Sequence, residues 1–394
     1  MKRRTLLQSL TALPLCACVG RLWAAPQPRT RLLMVFLRGG YDAANLLIPT
    51  SSQFYYEARP QIAIACPGSD PNAALPLDAD WGLHPALRSS VFPLFTQGQL
   101  AFVPFAGTHD LSRSHFQTQD NFELGQPLEG RRNYRSGFLN RLAATLGSSA
   151  AMSFTEQLPL IMRGDLALPN ASLRTVSKSA LDKRQSGAIS SMYANSALGA
   201  QVSQGFVMRD ELARDLAGEM SAANAGAISA RGFELEARRI AKLMKEKYSI
   251  GFVDVGGWDT HVAQGGASGY LATRLEELGR ALAAFAQEMD GAWRDTVVVV
   301  ASEFGRTLRE NGNRGTDHGH GSVYWVLGGS VRGGRVAGEQ VRVEPASLFQ
   351  NRDYPVLNEY RSVLGGLFSR LYGLDAARLE QVFPGAKALD IGLV

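Results

Sequence analysis

The run Asp295-Thr296-Val297-Val298-Val299-Val300 constrains this 394-residue chain more than any other stretch. Four consecutive valines are short, unbroken and β-branched, the pattern of a strand covered on both faces. Four further runs read as strands: Arg31–Leu37, Leu100–Phe105, Ile250–Val255 and Val323–Leu327. Segments of helical period lie between them. The clearest, Tyr270 to about Trp293, carries Leu271, Leu275, Leu278, Leu282 and Phe285 on one face. Buried strands alternating with helices predict an open α/β sheet of mostly parallel strands.

Each of the first four strands is followed by polar, chemically capable residues. Arg31–Leu37 runs into Arg38-Gly39-Gly40-Tyr41-Asp42. Leu100–Phe105 leads to Thr108-His109-Asp110-Leu111-Ser112-Arg113-Ser114-His115, ahead of a helix through Leu124. Ile250–Val255 leads to Gly256-Gly257-Trp258-Asp259-Thr260-His261. The valine run leads to a loop with Glu303, Arg306, Asp317, His318 and His320. Five of the six histidines fall in these bursts; the sixth, His84, opens a helix expected through about Thr96 and reads as structural. Parallel strands deliver their following loops to one edge, where ligands bind in open α/β sheets.

Histidine with Asp and Glu, and no thiolate, suits a divalent ion such as zinc or manganese, one or two of them. Asp42, Asp259, His261, Glu303, Asp317 and His318 are the candidate ligands. Arg113 and Arg306 are candidates to grip a phosphate or sulfate, and His115 to hold the anion or move a proton. Ser114, or else Ser112, has two readings: an ordinary helix cap, or a nucleophile beside the free N–H groups of a helix start. Asp42 could likewise cap the next turn, and either arginine could be an ion-pair partner.

The ends of the chain carry a different signal. Lys2-Arg3-Arg4-Thr5-Leu6-Leu7 before a mildly apolar stretch resembles a twin-arginine export signal over residues 1–25. Cleavage near Ala24–Ala25 is one outcome; a lipid anchor at Cys18, after Leu15-Cys16-Ala17, is the other. Losing residues 1–25 removes four positive charges and no acid, taking the net charge from +5 to +1. A near-neutral body gives no electrostatic reason to expect nucleic acid as a partner. Only Cys66 remains in the body, so no internal disulfide forms and no cysteine-based zinc site is expected. No later apolar run reaches transmembrane length.

The remaining segments position little chemistry. Residues 50–82 read as an irregular excursion with a short strand at Gln61–Cys66. A helix near Ser136–Leu146, a strand near Leu158–Met162, and helices at about Ile189–Ala217 and Ala230–Lys247 follow. Residues 330–355 read as a hairpin-rich excursion, and helices close the chain at Glu359–Tyr372 and Ala376–Val382.

Five ordered motifs, RGGYDAANLLIP, RSHFQTQ, FVDVGGWDTH, VVVASEFGRT and GTDHGHG, resemble the family called domain of unknown function 1501 across residues 31–386. That resemblance implies an exported protein and one α/β domain of the alkaline phosphatase/sulfatase-like kind, a mostly parallel central sheet with helices on both faces. Carried onto this sequence, it implies Asp42 as a first-strand metal ligand, Ser114 as the nucleophile, and Asp259 with His261 as a ligand pair. Glu303 falls where the superfamily has Asp followed by His, but Phe304 follows here. The expected function is a metal-dependent hydrolase of phosphate or sulfate esters, acting on a small anionic ester or an anionic polymer. The alternative is a non-enzymatic cell-envelope binding protein on a degenerate version of the fold.

Overall fold

A computed structural model describes residues 30–148, 150–173, 183–215 and 232–394. The export segment and Cys18 lie outside these residues. The strands, in chain order, are β1 (Arg31–Leu37), β2 (Leu47–Pro49), β3 (Leu75–Pro76), β4 (Trp81–Leu83), β5 (Leu100–Gly107), β6 (Ala151–Ser153), β7 (Ile250–Val255), β8 (Thr296–Ser302), β9 (Ser322–Gly328), β10 (Arg335–Val336) and β11 (Asn358–Glu359).

The main sheet runs β10-β5-β9-β8-β1-β7-β6, with β11 also pairing with β5. β1 sits between β8 and β7 and is parallel to both. β6 is parallel to β7. Only β9 runs the other way, antiparallel to β8 and to β5, so β5 points the same way as β8. The sheet is mixed and mostly parallel, as its apolar runs predict.

Alternation along β1 explains why both faces are covered. Leu33, Val35 and Leu37 enter one core, with Ile240 and Met244 of helix Phe233–Glu246 and Leu275 and Leu282 of helix Tyr270–Met289. Leu32, Met34 and Phe36 enter the other, with Phe138, Leu142, Val363, Leu367 and Phe368 from helices Phe138–Thr145 and Tyr360–Tyr372. Each such side chain, fully buried, contributes about 1.5–3 kcal/mol relative to exposure. A charge at Met34 or Val299 would therefore break the sheet at its centre.

This topology sends four loops to one edge. The segments after β1, β5, β7 and β8 all leave C-terminal strand ends. Because β9 is antiparallel, the residues just before it, Asp317 to Gly321, reach that same edge. Gly39 lies in the positive-φ region, and a Cβ there would come 2.7 Å from the Asp259 nitrogen. Its lack of a side chain lets the β1 exit pack against the β7 exit.

Several expected elements differ. Gln61–Cys66 forms no strand; the excursion instead holds a three-stranded antiparallel sheet, β2-β4-β3. Its strands are two or three residues long, too short to leave a period in the sequence. The helix expected after His84 is a 3-10 turn, Pro85–Leu87, and a separate helix, Phe92–Thr96. Leu160–Met162 is a 3-10 turn, and the nearby strand is β6. The long helix expected from Ile189 is two, Lys183–Tyr193 and Gly199–Asp215. Residues 330–355 hold β10, parallel to β5, where hairpins were expected. No helix among the described residues is long and apolar enough to cross a membrane.

Candidate metal centre

Three histidines meet at the common edge. His115 opens helix His115–Leu124 after β5, His261 lies in the loop after β7, and His318 precedes β9. His261 Nε2 lies 3.0 Å from His318 Nε2 and 2.9 Å from Asp259 Oδ1. His318 Nε2 is 3.3 Å from the same oxygen, and His115 Nε2 is 3.5 Å from Asp259 Oδ2. One donor atom each from His115, Asp259 and His318 falls within a 4.8 Å span, a grouping that could hold a metal ion.

Each ring also meets an acceptor on its far side, and for His318 this fixes which nitrogen carries the proton. His318 Nδ1 lies 3.0 Å from the Arg113 carbonyl, which can only accept, so Nδ1 donates. His115 Nδ1 lies 2.8 Å from Glu303 Oε1, and His261 Nδ1 lies 3.2 Å from Asp317 Oδ1. A neutral imidazole that donates from Nδ1 turns a lone pair outward at Nε2. With neutral rings three lone pairs and a carboxylate converge; a proton on His115, held between Glu303 and Asp259, or a metal ion relieves the repulsion. His115 Nε2 is buried and has no hydrogen-bond partner.

The spacing fits a small ion. Donors 2.0–2.1 Å from a tetrahedral ion stand about 3.3 Å apart. Each Nε2 lies 2.9 to 3.5 Å from an Asp259 oxygen, and the His261 and His318 Nε2 atoms are 3.0 Å apart. The grouping whose donors all fall within 4.8 Å is His115, Asp259 and His318, with His261 beside it. A ligating histidine tied through its other nitrogen to a carboxylate or carbonyl is the usual outer arrangement of such centres. All three rings have it.

The electrostatics agree. The Glu303 hydrogen bond raises His115 above the ordinary imidazole range, against the pull of burial. Burial lowers His318, and the neighbouring His115 lowers it further. The pair therefore takes up one positive charge more readily than two. Burial would raise Asp259, but Arg306 and the histidines outweigh it and hold the carboxyl low. Burial would raise Glu303 too; donors from His115, Gln119 and Ser302 keep it ionised.

The expected site residues divide into those that meet and those that do not. Asp259, His261 and His318 meet as expected, and His115 joins them with Nε2 facing the cluster, a ligand's position. Glu303 and Asp317, expected as ligands, stand one layer out and orient His115 and His261. Asp42 is not in the cluster. Arg59 grips both its oxygens, at 2.5 and 3.0 Å, and Gln264 Nε2 takes Oδ2 again at 2.6 Å. The chain's own cation fills the place that an ion was expected to take. Arg113, expected to grip an anion, is committed to Asp353 and Gln350. Arg306 is buried behind Asp259 and donates to its Oδ1 at 2.7 Å, so it braces that carboxylate.

Ser114 occupies the cap position of its helix, but its side chain makes no capping hydrogen bond. Ser112 is occupied elsewhere, donating to Asp110 at 3.1 Å. His320 is buried against Phe349 and His109 is exposed; neither is in the cluster. His84 caps its 3-10 turn, as a structural residue does. Phe304, which replaces an expected histidine, packs its ring 4.9 Å from His115 and 5.0 Å from His318.

Sequence reasoning missed Gln119, Arg59 and Gln264. Gln119 was legible: it follows His115 by four residues, one helical turn, and both reach Glu303 Oε1. Arg59 and Gln264 carry no local signal, because their partner Asp42 is distant in sequence.

The chain belongs to the family described as "Protein of unknown function (DUF1501)", whose family model matches residues 29–383. No curated protein matches the sequence. Among solved structures, a protein in the alkaline phosphatase superfamily from Vibrio parahaemolyticus is similar over 76% of this chain and 60% of that one, at 11% identity and a TM-score of 0.33. The chain thus spans less than two thirds of that protein, and a likeness this distant carries no argument about chemistry.

Proposed function

We propose that this DUF1501 member is an exported metal-dependent hydrolase of phosphate or sulfate esters that works with one divalent ion, zinc or manganese. The observation that carries the reading is the convergence of three Nε2 atoms on Asp259, each ring tied back through Nδ1. His115, His261, His318 and Asp259 would hold the ion. When bound, it would supply a Lewis acid that polarises an ester oxygen and lowers the pKa of an oxygen nucleophile.

The chain's own residues would do the rest. Glu303, Asp317 and the Arg113 carbonyl hold the rings in the tautomer that ligation needs. Phe304 excludes water from behind His115 and His318. Ser114, one residue before His115, has no cap bond to give up and would attack the phosphorus or sulfur, losing its proton to water as the bond to the alcohol breaks and the alcohol leaves. A second water would then free the serine and release phosphate or sulfate. The first N–H groups of its helix would steady the transferred group. Export rests on the twin-arginine-like segment at Lys2–Leu7. The test is turnover of an aryl phosphate and an aryl sulfate by chelator-stripped protein reloaded with zinc or manganese. Activity with either ester, lost in Ser114→Ala while bound metal is kept, supports the reading. No turnover of either ester with either ion would end it.

A second reading, an envelope protein that binds an anionic polymer without hydrolysing it, also has an observation behind it. The Asp259 and His261 side chains are 44% and 40% exposed, so the centre is open to an extended partner. Retained metal and polymer binding without turnover would favour it.

A further inference from the structure

Asp259 is too exposed to be fixed by packing, so its orientation depends on what it is bonded to. Arg306 Nη1 holds Oδ1 at 2.7 Å. Arg306 is itself held at Nε by Thr316 Oγ1, 3.2 Å away. Thr316 Oγ1 lies 3.0 Å from Gln264 Oε1, and Thr260 Oγ1 lies 3.0 Å from the same oxygen. Gln264 Nε2 donates to Asp42 Oδ2 at 2.6 Å, and Arg59 locks Asp42. Asp42, Arg59, Gln264, Thr260, Thr316 and Arg306 are all buried.

The direction of every bond in this chain is dictated from one end. The Asp42 carboxylate, ionised against Arg59, can only accept, so the Gln264 amide must turn its NH2 toward it. Gln264 Oε1 then faces the two threonines and accepts from both. Thr316 has one proton and spends it on Gln264, which leaves its lone pair for the Arg306 N–H. Turning the amide round would set an oxygen against a carboxylate and orphan buried groups, at about 1–3 kcal/mol for each group left unpaired. Only this arrangement pairs the Gln264 amide and both threonine hydroxyls; it aims Arg306 Nη1 at Asp259 and leaves Arg306 Nη2 buried without a hydrogen-bond partner.

We infer that Asp42, Gln264 and Thr316 form a positioning relay that fixes, through Arg306, the orientation in which Asp259 meets a divalent ion. The inference rests on the metal-centre reading above. It gives Asp42 a part in the site without contact with the ion.

Thr316→Val tests it, because valine keeps the shape and removes both hydroxyl bonds, while Thr316→Ser keeps them. The readouts are zinc affinity, by competition with a chromophoric chelator, and the melting temperature of the stripped protein. The expected result is zinc affinity at least about tenfold weaker in Thr316→Val, the usual cost of losing an outer partner. Thr316→Ser should match the wild type in both readouts. Thr316→Val, which leaves Arg306 Nε unpaired and Gln264 Oε1 with one partner fewer, should also melt lower, so affinity is compared at a temperature where all three are folded. Should Thr316→Val fail to fold, Gln264→Met breaks the relay one step away, removing the Gln264 bonds to Asp42, Thr260 and Thr316 while Thr316 stays on Arg306, and carries the same expectation. Unchanged zinc affinity without these bonds, or an equal loss in Thr316→Ser, overturns the relay and leaves the metal centre standing. A wild type that binds neither zinc nor manganese overturns both.

Discussion

Asp42 and Asp259 follow neighbouring parallel strands, β1 and β7, and both were expected to bind metal. They have opposite surroundings. Asp42 is almost wholly buried and is neutralised bidentately by Arg59, which is also wholly buried. Asp259 is nearly half exposed and faces three imidazoles and one guanidinium. A strand end delivers a carboxylate to the edge; whether it serves structure or chemistry depends on which cation arrives. At Asp42 the chain supplies a permanent one. At Asp259 Arg306 takes one side, and the other faces three imidazoles, the side on which the proposed ion would sit.

The contrast is broken most forcefully by removing each carboxylate in turn. Asp42→Ala strands a buried guanidinium, which should cost about 3–5 kcal/mol. Asp259→Ala takes the carboxylate from the buried Arg306 guanidinium but from a half-exposed site, so it should cost less, about 1–3 kcal/mol in the metal-free protein. Urea unfolding of both variants after chelation checks this. Equal losses would show that the two sites do not differ as described.

The next effect is sharpened by adding metal. His261→Ala should leave the stripped protein's melting temperature nearly unchanged but cancel the rise on adding zinc. An ion at a hundred times its dissociation constant contributes about 2.7 kcal/mol to the folded state alone. Thermal scans with and without zinc read the difference, and an unchanged rise in His261→Ala would remove it from the ligand set.

pH separates structural from ligating histidines. Burial pushes His84 and His320 down to about 4. Unfolded, each would titrate near about 6.5. Between those values the unfolded chain binds more protons, so their contribution is complete above pH ~6.5 and is lost as pH falls toward 4. His115, raised by Glu303, acts in the opposite sense in metal-free protein: its contribution is complete below pH ~6.5 and fades as pH rises through its folded pKa. His84→Gln should therefore flatten the acid-side slope of stability by up to one proton. An unchanged slope between pH 6.5 and 4 would contradict the burial argument.

The smallest stability effect is expected at Ser114. Losing a capping side chain costs about 1 kcal/mol, but this serine makes no cap bond. Ser114→Ala should melt within a few tenths of a kcal/mol of the wild type. A loss near the full capping value would return Ser114 to a structural role.

The strand ends were legible because buried parallel strands leave unbroken apolar runs, and the chemistry follows them directly. Ligand types were legible for the same reason. Partner choice was not. Glu303 and Asp259 look alike in sequence, yet Glu303 is inward, receiving Gly39, His115, Gln119 and Ser302, while Asp259 faces outward. Those contacts span up to 264 residues, and no local pattern encodes them. The direction of β9 was also hidden, although it decides that Asp317 and His318 reach the edge from before a strand. Phe304 was visible as a departure, but its place against the His115 and His318 rings needed the fold.

The central claim is one ion held by three histidines and Asp259. Elemental analysis of the purified chain, beside His318→Ala prepared in parallel, tests it most directly. The account predicts one zinc or manganese per wild-type chain and a fraction of that in the variant, with both proteins folded. Metal at background in the wild type after zinc or manganese is supplied, or equal metal in the two proteins, would contradict it.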